Sequence, residues 1–147
     1  MSSRLFQIVR EKLGLAYSVY SYISSFTEGG MLTVYAGVNP KSTKKALDAI
    51  LGCIGEMRKD GLTQDEFLRG KEQLKSSFIL GQENTASQMI LYGKHMLYTG
   101  DVYDFDGRVA KIDAITKEDC ERAISLNFDA ASHAAAAVGK IDRPLAL

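Results

Sequence analysis

The sequence predicts an α+β fold in which an antiparallel sheet carries helices packed on one face, and three observations support this class. Residues 17–23 and 31–38 are rich in β-branched and aromatic residues and flank a turn at 27–30, which is typical of a hairpin. Helical patterns fill most of 39–126 without an intervening strand, so the alternation of a parallel sheet is missing. A third, alanine-rich strand is predicted at 132–140, with a helix as the alternative because alanine favours helix.

Three strands make a thin sheet, and the sheet is therefore predicted to be incomplete. At least one strand edge is expected to be open, with backbone donors and acceptors available to another chain. Self-association through this edge is one expected consequence.

An amphipathic helix is predicted at the start of the chain. Apolar residues recur there at helical spacing, and polar residues fill the positions between them. Ser2 or Ser3 is the candidate N-cap, and Gly14 is the candidate end. The apolar positions are Leu5, Phe6, Ile8, Val9 and Leu13.

Start and stop signals divide the later helical region into five segments. The first helix is capped by Asn39, has Pro40 at its first helical position and ends at Gly61. Thr63 and Glu66 form a predicted capping box for the second helix. The second helix is predicted to end at about residue 80. The third, fourth and fifth helices are predicted at about 86–98, 102–112 and 117–126. Gly100 follows the third helix, and Thr116 is the predicted cap of the fifth.

Composition argues against several classes of function. The 147 residues suit a single domain over 1–147. The 18 basic and 18 acidic residues balance, so nothing favours a nucleic acid or an anionic membrane as partner. No apolar stretch is long enough to span a membrane, and no signal peptide is recognised.

Two cysteines, Cys53 and Cys120, occupy helical patterns far apart in the sequence. They are predicted to be buried, reduced thiols, while a disulfide between them stays open as the alternative. Reduced thiols and the lack of a presequence predict a cytoplasmic bacterial protein.

Motifs for metal, nucleotide or nucleophile chemistry are absent from the sequence. His95 and His133 stand alone, without a second histidine or a glutamate at metal-ligand spacing. HExxH, its inverse HxxEH, GxSxG, the P-loop and GxGxxG do not occur. The chain is therefore predicted to bind no metal and no cofactor by itself.

Three tyrosines are predicted on the strands of the hairpin: Tyr20, Tyr22 and Tyr35. Cross-strand packing is the favoured interpretation of this set. An aromatic surface that binds peptides is the alternative.

Arg10 and Tyr17 are the candidate functional residues. The stretch from one to the other reads REKLGLAY, in which the helix ends at Gly14 and the chain turns into a strand. The returning strand can pass close to the polar side of the helix, so a guanidinium and a phenol can converge on one point. Both groups donate hydrogen bonds and neither is a nucleophile at neutral pH, so the pair suits a peptide carbonyl or an oxyanion.

The segment SSRLFQIVREKLGLAYSVYSY at 2–22 resembles the signature of the second domain in the insulinase/pitrilysin family of zinc metallopeptidases. It is most similar to the branch of mitochondrial processing peptidase and its bacterial relatives. The resemblance continues in order through TEGGMLTVYAGVNP, GLTQDEFLRGKEQLKSSFILGQENTASQM and the YTG turn, and so covers essentially the whole chain.

This resemblance implies a processing-peptidase-like metallohydrolase domain and an enzyme that cuts peptides or presequences. In the family, a first domain carries the HxxEH zinc motif, and a second domain, sometimes on a separate subunit, supplies an arginine and a tyrosine. Carried over, these are Arg10 and Tyr17, which would hold an unstructured peptide substrate and stabilise the transition state. Zinc in the complete enzyme and an HxxEH-bearing domain or subunit as partner are implied in the same way.

The chain departs from the family pattern in two ways: HxxEH is missing, and the chain begins at the signature helix, before which family members normally carry a further strand-containing segment of the second domain. Residues 1–147 are therefore expected to be the C-terminal part of a peptidase second domain, truncated at the N-terminus and inactive alone. A non-catalytic scaffold or peptide-binding subunit of the same fold is the alternative. An unrelated α+β ligand-binding domain is the third possibility.

Overall fold

The computed structural model describes residues 3–128 and 133–140. The chain divides into two compact units, one containing Met1–Gly61 and Ala123–Leu147 and the other Leu62–Arg122. Helices and an antiparallel sheet are both present, which confirms the α+β class. The expectation of a single domain stays a prediction.

The first unit contains a hairpin and the helices that flank it. A π-helix over Phe6–Lys12 precedes strand β1, Ala16–Phe26, and strand β2, Gly29–Val38. A short 3-10 turn at Pro40–Ser42 leads into helix α1, Thr43–Asp60. The opening helix is confirmed in position, but most of it is wound as a π-helix rather than as the predicted α-helix.

The second unit is helical. It contains helix α2, Gln64–Leu80, helix α3, Thr85–Thr99, and helix α4, Phe105–Ala114. Helix α5, Lys117–Asn127, begins in this unit and ends in the first. Among the described residues, no helix combines the length and apolarity needed to cross a bilayer.

The predicted antiparallel hairpin is confirmed. β1 and β2 pair antiparallel from Phe26 opposite Gly29 to Ala16 opposite Val38. The turn is shorter than predicted because only residues 27–28 lie outside the strands. The two glycines at 29–30 belong to β2, so their assignment to the turn was wrong. In the described part of the chain the sheet has two strands, and one edge of each has no partner strand.

The third strand predicted at 132–140 is wrong for residues 133–140, which adopt no regular structure and are exposed. Residue 132 lies outside the described residues. Four consecutive alanines, 134–137, have low β propensity and offer no bulky side chain that could pack against a neighbouring strand. Val138 is the only β-branched residue in this segment, so it lacks the β-branched content that supports the hairpin strands.

The predicted N-caps at Asn39 and Thr63 and the predicted C-terminal glycine at Gly100 are confirmed. Thr63 Oγ1 accepts from the Glu66 amide at 3.2 Å, and Glu66 Oε2 accepts from the Thr63 amide at 2.8 Å, which is a complete capping box. Asn39 Oδ1 accepts from the Lys41 amide at 3.0 Å. Gly100 follows α3 with a left-handed φ of 75°, where glycine is unstrained.

A small apolar cluster holds the first unit together. Val9 from the opening helix is fully buried and packs with Ala16 and Val19 of β1 and Cys53 of α1. The opening helix and α1 therefore cover the same face of the hairpin. Arg4 adds a polar contact, because its Nη2 donates to the backbone oxygen of Gly61 at 2.8 Å.

We expect Gly14→Ala to destabilise the first unit and Gly52→Ala to stabilise it. Gly14 has a φ of 60° at the turn into β1, and a left-handed alanine costs about 1–2 kcal/mol. Gly52 lies in the exposed middle of α1, where alanine gains about 0.5–1 kcal/mol. A Cβ meets no atom within 4 Å at either position, so urea unfolding isolates the backbone effect. Shifts of the same sign in both variants would contradict this account.

Asp119 at the start of α5 gives stability an acid dependence that can be tested. The Thr116 amide, at 2.9 Å, and then the Thr116 hydroxyl lower the pKa of this carboxyl below its usual value. Its stabilising contribution is complete above the unfolded-state pKa of about 3.9 and is lost as the pH falls through the lower folded-state pKa. The stability difference between the native protein and Asp119→Asn should therefore shrink on acidification in urea titrations. A difference that stays constant from pH 7 to pH 2 would refute it.

Candidate functional site

Arg10 lies in the π-helical turn that opens the chain. The wide turn is recorded in its hydrogen bonds, because the Leu13 amide donates to the Ile8 oxygen at 3.0 Å, five residues back. The Leu15 amide reaches the Val9 oxygen at 2.9 Å as the helix ends. π-turns of this kind occur frequently at functional sites. Here the turn places Arg10 next to the buried Val9 with its own side chain facing outward.

Tyr17 occupies a β-bulge at the start of β1. Ala16 pairs with Val38 and Ser18 pairs with Gly37, so Tyr17 is the extra residue without a partner on β2. Strict alternation would place Tyr17 on the face of the sheet that Val19 occupies. The bulge instead buries Ala16 there and turns Tyr17 outward, where it is 87% exposed. Bulges of this kind re-aim side chains next to active sites.

The structure brings the two candidate residues together. The guanidinium carbon Cζ of Arg10 lies 5.8 Å from the centroid of the Tyr17 ring. The same carbon lies 4.8 Å from the centroid of the Phe6 ring. Both distances are within the range of a cation–π interaction. Phe6 was not singled out in the sequence as a neighbour of Arg10, although its spacing of four residues on a helix is the signal that could have indicated it.

The donors of Arg10 are available to a ligand. Its Nε lies 3.8 Å from Glu11 Oε1, with both side chains substantially exposed, and such surface pairs contribute little energy. No described residue accepts a hydrogen bond from its Nη atoms. The guanidinium fork can therefore bind a planar acceptor such as a carboxylate or a carbonyl, and the Tyr17 hydroxyl adds a neutral donor beside it.

The three tyrosines lie on the face of the hairpin opposite to the one that buries Val19. Tyr20 stacks on its cross-strand partner Tyr35, with ring centroids 4.9 Å apart, and Tyr22 lies 6.2 Å from Tyr20. The predicted cross-strand packing is therefore confirmed. All three rings remain about half exposed, so the peptide-binding alternative stays open.

The isolated histidines and cysteines form no catalytic arrangement in the described residues. His95 meets the edge of Tyr103 with ring centroids 5.1 Å apart. Cys53 is buried, and burial, followed by the charge of Glu56, raises the pKa of its thiol. Both cysteines are free thiols, as predicted, but Cys120 is only partly buried, so the prediction of a buried thiol was wrong at that position.

The zinc implied by the resemblance does not fit the residues that the structure describes. Over 3–128 and 133–140, no group of three or more His, Cys, Asp or Glu side chains could hold a metal ion. No step of a reaction is therefore assigned to a metal on this chain.

A cleft of about 220 Å³ lies within the second unit. Its lining mixes acidic and basic side chains, and none of the residues singled out for peptide binding belongs to it. The lining residues are His95, Asp101, Val102, Asp104, Gly107, Arg108 and Lys111.

Comparison with known sequences gives a consistent result. Residues 1–74 match the family model described as the peptidase M16 inactive domain. The chain is 42% identical over 118 residues to YmxG of Bacillus subtilis and 44% identical over 119 residues to a Streptomyces coelicolor protein, both named as uncharacterized zinc proteases. The matches cover 80% and 81% of this chain but only 29% and 26% of those relatives, so the chain spans less than a third of their length.

Solved structures show the same fold. A conserved protein from Enterococcus faecalis V583 superimposes with a TM-score of 0.68 at 27% identity, over 84% of this chain and 28% of that one. An inactive peptidase domain from Bordetella parapertussis superimposes with a TM-score of 0.74 at 16% identity, over 88% of this chain and 70% of that one. Together with the signature around Arg10 and Tyr17, these matches show that the chain belongs to the peptidase M16 inactive domain family, a C-terminal domain of zinc proteases.

Proposed function

We propose that this chain is the C-terminal domain segment of a zinc-dependent metalloendopeptidase and that it contributes substrate and transition-state binding. The observation that carries the proposal is the convergence of Arg10 and Tyr17, with Cζ 5.8 Å from the ring centroid and both side chains open to solvent. The π-turn and the bulge that bring them together are backbone irregularities of the kind that occurs at functional sites.

Arg10 acts as the clamp on the substrate. Its fork of N–H donors matches the plane of a peptide carbonyl or of a terminal carboxylate, and it stays charged at any physiological pH. The weak contact with Glu11 leaves this fork available. Arg10 therefore binds and orients the peptide before the reaction.

Tyr17 acts on the carbonyl oxygen as negative charge develops. Its hydroxyl donates a hydrogen bond to that oxygen, and the bond strengthens as the oxygen becomes an oxyanion. A donor of this kind contributes on the order of 3 kcal/mol to transition-state stabilisation. Because the phenol is not required as a nucleophile, it needs no neighbouring base.

The chemistry that cleaves the peptide requires a second component. The described residues supply no metal site, and the relatives named as zinc proteases are more than three times as long as the segment they share with this chain. The partner is an HxxEH-bearing domain or subunit of the same peptidase, and an unstructured peptide is the substrate. The chain alone is expected to be inactive.

We expect Tyr17→Phe and Arg10→Ala each to abolish most of the activity of the reconstituted peptidase. The assay uses a fluorogenic unstructured peptide with zinc, first with this chain alone and then with an HxxEH-bearing domain added. Loss of one oxyanion donor should lower kcat by about 100- to 1000-fold in the Tyr17 variant. Tyr98→Phe is the control, because it removes an exposed hydroxyl from α3, outside both the Arg10–Tyr17 pair and the three-tyrosine surface, and should leave kcat unchanged.

Two outcomes would contradict the proposal. Full activity of Tyr17→Phe in the mixture would remove Tyr17 from the transition state. Tight association with the HxxEH-bearing domain without any gain in peptide cleavage would favour the scaffold or peptide-binding subunit instead.

A further inference from the structure

We propose that Phe6 is a positioning residue that holds the Arg10 guanidinium in its substrate-binding orientation. The inference rests on the proposed function of Arg10 and adds a residue that touches no reacting atom. Its geometric basis is the 4.8 Å separation between Arg10 Cζ and the centroid of the Phe6 ring. This contact is shorter than the 5.8 Å contact of the same carbon with Tyr17.

Phe6 is placed where a ring can restrain its neighbour. Its side chain is half-buried, and its amide donates to Ser3 Oγ at 3.3 Å at the start of the opening helix. Yet Phe6 is not among the partly buried apolar residues that pack against the cluster around Val9. Packing in that cluster therefore does not account for its position, whereas contact with Arg10 does.

Arg10 needs such a restraint because little else fixes its side chain. A long side chain on an exposed helix surface populates many rotamers, and ordering it on substrate binding costs entropy. The contact with Glu11 Oε1 is long and solvated. Tyr17 must keep its hydroxyl directed at the substrate and stands farther away. The ring of Phe6 is therefore the principal restraint, acting through cation–π attraction to the guanidinium.

The test compares Phe6→Leu with Phe6→Tyr. Leucine keeps apolar volume but removes the ring face, whereas tyrosine keeps the ring. In the reconstituted assay, Phe6→Leu should lower kcat/KM by about 2- to 5-fold, as expected for loss of an exposed cation–π contact. Phe6→Tyr should keep the native kcat/KM. In an Arg10→Ala background, Phe6→Leu should have no further effect, which a general loss of folding would not reproduce.

An NMR measurement on the chain alone separates this inference from the proposed function. The Arg10 side chain should show nuclear Overhauser contacts to the Phe6 ring, and its Nε–Hε resonance should lose its ring-current shift in Phe6→Leu but keep it in Phe6→Tyr. Absence of these contacts in the native chain overturns the positioning role, even if Phe6→Leu fails to fold. If the contacts are present but Arg10→Ala leaves peptide cleavage unchanged, the proposed function fails and the contact has no catalytic purpose.

Discussion

Burial of Val9 against the start of strand β1 is the interaction on which the rest of the first unit depends. Val9 is completely excluded from solvent and shares one cluster with Ala16, Val19 and Cys53. Because Arg10 follows Val9 directly and Tyr17 follows Ala16 directly, packing of the two buried residues fixes the positions of their two exposed neighbours. Loss of the Val9 contact would release the opening helix and separate the guanidinium from the phenol.

The parts of this arrangement that follow local rules could be predicted from the sequence. Helix caps at Asn39 and Thr63 depend on side chains within three residues, and two segments rich in β-branched and aromatic residues around a turn predicted the hairpin. The π-turn and the bulge could not be predicted, because each is an extra residue accommodated by packing around Val9 and Ala16. The alanine-rich segment near the C-terminus was misassigned because it was treated as a short apolar strand although alanine has low β propensity.

The π-turn and the β-bulge determine where the side chains of Arg10 and Tyr17 point. A regular helix and a regular strand would place Arg10 and Tyr17 on surfaces set by periods of 3.6 and 2 residues. The π-turn and the bulge instead turn the side chains of Arg10 and Tyr17 outward, while Val9 and Ala16 stay packed in the apolar cluster. The donors are therefore carried by the ends of rigid elements, with only the Gly14 turn between them. Under the proposed function, these preorganised donors are this chain's contribution to a reaction whose metal is held by another domain or subunit.

A double-mutant cycle on Arg10 and Tyr17 tests the central claim most directly. The claim is that the two side chains act as one unit on the same substrate group. kcat/KM of the reconstituted peptidase would be measured for the native chain, Arg10→Ala, Tyr17→Phe and the double variant. The account predicts that the double variant loses less than the sum of the single losses, with a coupling of about 0.5–3 kcal/mol. Strictly additive losses would show that the two residues act independently and would contradict a shared site.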